Sequence, residues 1–270
     1  MKSVGKEYFK RVGRNQKGFT LVEMAIVLAV IGLILGAVSI GKDVQRNAEY
    51  SKIKQKFIDQ WVIAYNAHYQ RTGVVVGDSQ IQPRLMVDGG NYTVVGASIS
   101  GGNMTGATPP GAICTGAKGT NMARAMETAA GFDLRGLMQR AGVRMPPGRA
   151  EGSEDRYAYL DSNGNPQEIQ VCFEWNAPTT PSGAGNVMVI SGLTPDLARY
   201  LDQTIDGKAD GTAGLFRQEG AATQSNNAPG AEWSNNNTAK YGSSNGAIGT
   251  GSNLDTDQVA TVIAEYKMNQ

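Results

Sequence analysis

Between Phe19 and Ile40 the chain reads FTLVEMAIVLAVIGLILGAVSI, 22 residues with a single charge, Glu23. Coiled as a helix at about 1.5 Å per residue, the run is roughly 33 Å long and crosses the hydrocarbon core of a bilayer. It exceeds the apolar stretch of an ordinary secretory signal, and helix-forming sequence continues past it, so it is expected to be retained rather than removed. The charge before it is concentrated. Residues 1–18 hold Lys2, Lys6, Lys10, Arg11, Arg14 and Lys17 against Glu7 alone, a net of +5. The remaining 19 basic and 23 acidic residues leave the body at −4, which gives a nucleic acid no electrostatic incentive to bind. Loop charge does not set the orientation of the span, because Lys42, Arg46, Lys52, Lys54 and Lys56 follow it almost as densely.

Helical periodicity persists beyond the apolar run. Ile53, Phe57, Trp61, Tyr65 and Tyr69, with Ile58 and Val62 beside them, mark one face, while Lys52, Lys56, Asp59, Asn66 and Gln70 mark the other. Gly73 is the natural stop. One helix is therefore expected over 19–72, its first half apolar all round and its second half amphipathic.

The junction Lys17-Gly18-Phe19-Thr20-Leu21-Val22-Glu23, set between a basic leader and an apolar helix, resembles the class III signal of type IV pilins and of the pseudopilins of type II secretion. The resemblance implies that a membrane-embedded prepilin peptidase cuts between Gly18 and Phe19 on the cytoplasmic side and methylates the new terminus at Phe19. It implies a pilin-like α+β fold, a lollipop whose long N-terminal helix is transmembrane over 19–40 and packs on an antiparallel-sheet head, 73–270, with short helices. A lone acid on a membrane helix costs a few kcal/mol, so it needs a partner. The Phe19 amine created by the cut lies only about 6 Å along the helix from Glu23. The family solution is an intermolecular pair, Glu23 of an incoming subunit with its neighbour's N-terminal amine. The alternative is a glutamate that snorkels to the cytoplasmic interface. Pilins often carry proline at the position of Ile40. Here Ile40 is flanked by Gly41, and Gly32 and Gly36 are the residues able to soften the helix.

The head is less legible. A strand is expected at Asn91–Val95, a Gly/Thr/Pro-rich loop over 96–111, and one or two short helices over Asn121–Gly142 that end before Met145-Pro146-Pro147-Gly148. Arg156–Leu160 and Glu168–Trp175 read as a hairpin about Asp161-Ser162-Asn163-Gly164-Asn165, and Val187–Ile190 as a strand. Thr194-Pro195-Asp196 opens a helix that ends near Gly207. Residues 218–253 hold seven Asn and six Gly in 36 and are expected to form an exposed excursion with little core. Val259–Tyr266 reads as a closing strand.

Chemistry-bearing residues are few. Cys114, placed in a loop, and Cys172, placed in a strand, are the only thiols. In an exported head they are expected to pair, the alternative being two buried free thiols. His68 is the lone histidine and, on the spine helix, is assigned to packing or a surface contact. Gly242-Ser243-Ser244-Asn245-Gly246 spells a nucleophile-elbow motif without its strand-to-helix context. Asp206-Gly207-Lys208-Ala209-Asp210-Gly211 resembles a calcium loop, and because some pseudopilins bind calcium in a head loop, Asp202, Asp206 and Asp210 are the candidate ligands. Lys208 and Arg217, however, occupy positions where ligands should stand. The expectation is thus a non-enzymatic filament subunit without a cofactor, a minor pilin before a major pilin or a secretion pseudopilin. Its partners would be other pilin subunits, the prepilin peptidase, an inner-membrane assembly platform and, before assembly, membrane lipid. Its precursor would sit in the inner membrane with the head in the periplasm, and the assembled subunit in a pilus at the cell surface. From a different class, it could be a monomeric membrane-anchored periplasmic binding protein or adhesin.

Overall fold

A computed structural model of the protein describes residues 18–89, 134–221, 233 and 261–268, together with the backbone of the strand residues 114–115 and 123–124. The strand expected at Asn91–Val95, the loop at 96–111 and the Gly242–Gly246 motif lie outside the described residues. The chain divides into two units, Met1–Gln45 and Arg46–Gln270.

In the first unit, helix α1 (Leu21–Ile53) begins immediately after Gly18, Phe19 and Thr20, which are not helical. Over Leu21–Gln45 it has no buried residue, and Val22, Ile26, Leu28, Leu33 and Leu35 are all well exposed. An apolar helix without a buried residue is the expected form of a segment whose solvent is lipid or other helices.

In the second unit the helix continues through a five-residue π segment, Lys54–Ile58, into α2 (Asp59–Thr72). Helical neighbours ordinarily lie three or four residues apart. Across the π segment contacts fall five apart instead: Lys54 Nζ bonds Asp59 at 2.9 Å, and Gln60 Nε2 donates to the Gln55 carbonyl at 3.3 Å. The wider turn coincides with full burial of two consecutive residues, Phe57 and Ile58. Gly73, at φ +77°, ends α2 and donates its N–H to the Tyr69 carbonyl, as expected.

The buried stripe Tyr50, Ile53, Phe57, Trp61 and Tyr65 packs on a five-stranded antiparallel sheet. Its strands are β3 (Arg156–Leu160), β4 (Pro166–Asn176), β5 (Gly185–Leu193), β6 (Phe216–Gln218) and β7 (Val262–Lys267), in the order β3-β4-β5-β7-β6. Alternation puts Ile169, Val171 and Phe173 of β4 on the helix side, with Val171 opposite Ile190 and Phe173 opposite Met188. The Phe173 ring lies 6.0 Å from Trp61 and 5.1 Å from Tyr65 between centroids. Cys172 points to the other face, in a small cluster with Val187, Val189 and Ile263. The β5–β7 register shifts between Ile190 and Leu193, and within that stretch a Cβ on Gly192 would come within 2.0 Å of the Glu168 carbonyl oxygen, so only glycine fits.

The hairpin, the strand at 187–190, the capped helix and the closing strand all form where the sequence places them, with β4 and β5 longer than their apolar runs. Helix α4 (Pro195–Asp206) is capped by Thr194, whose side chain accepts from the Leu197 amide, and stops at Gly207. Three expectations need correction. Cys114 lies not in a loop but in a two-residue strand β1 (Cys114–Thr115), paired with β2 (Ala123–Arg124). Helix over 121–142 is confined, among the described residues, to α3 (Leu134–Arg140), because Ala123 and Arg124 are recruited into that pairing. Of the 218–253 stretch only 218–221 and 233 are described, and one of these feeds the core: Trp233 is 1% exposed, packed 5.3 Å from the Phe216 ring. Composition averages hid a single aromatic anchor.

Candidate functional site

The start of α1 is fixed by two side chains. Thr20 is its N-cap, with the Thr20 carbonyl accepting from the Met24 amide at 3.2 Å. Glu23 Oε2 accepts from the Thr20 amide at 2.8 Å and from Thr20 Oγ1 at 2.9 Å, and the Glu23 amide donates back to Thr20 Oγ1 at 3.2 Å. This is a reciprocal capping box, in which a Thr and a Glu three residues on satisfy each other's backbone donors. The pattern T-x-x-E ahead of an apolar run announces it in the sequence, a role for Glu23 distinct from both the intermolecular pair and the snorkelling alternative. Both residues are exposed, and among the described residues no donor reaches Glu23 Oε1. Gly18 and Phe19 are exposed and precede the cap in non-helical backbone. A Cβ built on Gly18 would meet nothing within 4 Å.

The three aspartates lie around the end of α4, and each carboxylate is taken up by local donors. Asp202, wholly buried, accepts at Oδ2 from the Asp210 amide and from Trp233 Nε1, both at 2.7 Å, while its Oδ1 has no hydrogen-bond partner among the described residues. Burial pushes Asp202 up to about 7. The neighbouring Asp206 adds in the same direction, and the Trp233 and Asp210 donors pull against it. Asp206 accepts from the Leu215 and Phe216 amides, and Asp210 from the Thr212 amide and hydroxyl, with Lys208 at 3.1 Å. The group thus ties α4 to the start of β6. Among the described residues no set of three or more His, Cys, Asp or Glu is arranged to hold a metal ion.

His68 is buried on α2, its Nδ1 3.2 Å from the Val74 carbonyl, and burial holds its pKa below the ordinary value. Of the two roles expected for it, packing and a surface contact, its burial fits packing. Cys172 is buried, and β1, which carries Cys114, runs against β4, which carries Cys172.

A family model, the prokaryotic N-terminal methylation motif, matches residues 13–39. No curated protein and no solved structure matches the chain.

Proposed function

From the premise that residues 13–39 are the class III prepilin signal of type IV pilins and pseudopilins, on a membrane-anchored precursor, we propose that this chain is a structural subunit of a type IV pilus-like filament, a minor pilin. Prepilin peptidase removes the leader 1–18 by cutting between Gly18 and Phe19 and methylates Phe19. The signal is a motif of processed filament subunits, not of an enzyme family. What carries the reading is that signal together with the geometry that follows it: non-helical Gly18 and Phe19, a capped helix start, and then an apolar helix without a buried residue as far as Gln45.

Before assembly the 19–40 segment rests in inner-membrane lipid, with the leader in the cytoplasm and the head in the periplasm. On assembly the helices exchange lipid for one another at the platform and carry the heads to a surface pilus. Removal of the leader is required because its net charge of +5 could not enter an apolar bundle. Glu23 then pairs with the Phe19 amine of a neighbouring subunit, to which its Oε1 is open. In the head, Cys114 and Cys172 form a disulfide, a reading supported by the adjacency of β1 and β4 and by the lack of a free cysteine among the described residues. No cofactor is invoked. Asp202, Asp206 and Asp210 are read as supports for backbone N–H groups rather than as calcium ligands.

The test is proteomics of sheared surface fibres. A trace peptide that begins at methylated Phe19 is expected of a minor pilin. Dominance of that peptide would make the chain a major pilin, and its absence would shift the assignment to a secretion pseudopilin or a monomeric anchored adhesin. Gly18→Ala should leave the head folded and the leader attached; normal trimming of that variant, read by intact mass, would refute processing by the peptidase.

A further inference from the structure

The capping box carries an inference beyond the charge pair proposed above, though it rests on that pair. We propose that Thr20 is a positioning residue for filament assembly: it holds Glu23 by Oε2 and so presents Oε1 to the neighbour's Phe19 amine. Two donors of one residue, the amide and the hydroxyl, converge on a single carboxylate oxygen at 2.8 and 2.9 Å, and the same hydroxyl accepts the Glu23 amide at 3.2 Å. A glutamate otherwise has several rotamers to lose on pairing, and a partner held ahead of time binds more tightly than one that must be ordered. The environment sharpens the effect. Inside lipid or a helical bundle no water replaces a lost donor, so an unheld carboxylate would turn back toward its own backbone or toward the interface instead of across to the next helix.

The cap also outlasts the cut. Cleavage between Gly18 and Phe19 leaves the Thr20 amide and hydroxyl intact, so the glutamate is already oriented when the Phe19 amine first exists. Valine at position 20 has the shape of threonine but neither bonds Glu23 Oε2 nor accepts the Glu23 amide through its side chain. Serine retains both functions.

The experiment compares full-length variants at matched subunit level. It measures the fraction recovered in sheared fibres against the membrane fraction, with intact mass to verify a terminus at Phe19. Thr20→Val should be trimmed normally and enter fibres about fivefold less, the equivalent of losing the one hydroxyl bond that holds Glu23 Oε2. Thr20→Ser should restore entry. Glu23→Gln, whose amide oxygen can still take the Thr20 donors, should keep the cap yet be excluded like Glu23→Val, because the charge is gone. Exclusion of Glu23→Val alongside normal entry of Thr20→Val would overturn the positioning role and leave the pair standing. Accumulation of uncut Thr20→Val, or failure of Thr20→Ser to restore entry, would overturn it as well. Normal entry of Glu23→Gln and Glu23→Val would remove the pair itself.

Discussion

Asp202 shows how much one buried carboxyl can ask of its surroundings. Its folded-state pKa of about 7 lies above the ordinary 3.8, so the folded protein keeps the proton through a range in which the unfolded chain has lost it. Stability from this group is therefore full below about pH 4, declines as pH rises toward 7, and is lost above it, a span on the order of a few kcal/mol. Asp202→Asn should flatten that part of the stability profile and leave the protein at least as stable at pH 8, because an amide oxygen still accepts from Trp233 and Asp210. Urea unfolding at a series of pH values measures it, and an unchanged slope would contradict the account. Trp233→Phe should push Asp202 higher still by removing a donor to its charged form, and Trp233→Ala should cost about 3–5 kcal/mol. Neither residue was legible as a pair. Asp202 sits in an acidic spacing that reads as a metal loop, and Trp233 in an Asn/Gly stretch that reads as solvent; only the fold brings them to 2.7 Å.

At the level of elements, the spine helix carries two kinds of information and the sequence displays both. Uniform apolarity over 19–40 and an amphipathic stripe from Ile53 onward follow directly from composition and period, and Gly73 stops the helix because it adopts φ +77° at little cost. The π segment was not legible. Lys54–Ile58 contains neither glycine nor proline, and its wider turn shows only in contacts five residues apart. The half-exposed Lys54–Asp59 pair that spans it is a marker rather than a support, and Lys54→Ala should shift stability by less than about 1 kcal/mol. Trp61→Ala, which empties the place between the helix and Phe173, should cost about 3–5 kcal/mol. Far-ultraviolet circular dichroism during chemical unfolding ranks the two, and equal losses would mean that the pair across the π segment supports the helix as much as the packing around it does. The hairpin and the capped α4 were readable because Asn163-Gly164 and Thr194-Pro195 act locally. The β1–β2 pairing was not, because two-residue strands have no period to detect and are chosen by their neighbours.

For the molecule as a whole, the two units answer to different solvents. The head buries its aromatic residues in water in the ordinary way. The apolar helix gains little hydrophobic energy by leaving lipid for other helices, since lipid tails are as apolar as leucine. On the proposed assembly, a preference for the filament would come from close packing and from the polar contact at Glu23, which is why one carboxylate is expected to matter out of proportion to its size. The proposed Cys114–Cys172 bond acts on the head alone. Replacing both cysteines by serine should lower its stability by roughly 3–5 kcal/mol and leave trimming at Gly18 untouched. Thiol alkylation without reductant should label neither residue in the parent chain, and labelling of both would refute the bond.

Trp233 stands between β6 and β7, in a connection that covers residues 219–261. By seating one ring against Phe216 it divides a single long closure into two arms that are tied at a shared knot. Closure entropy grows only with the logarithm of length, so residues can be added to or cut from either arm at small thermodynamic cost while the knot holds. What meets Phe216 from within that connection is one indole, and it is the contact any change of chain length there has to keep.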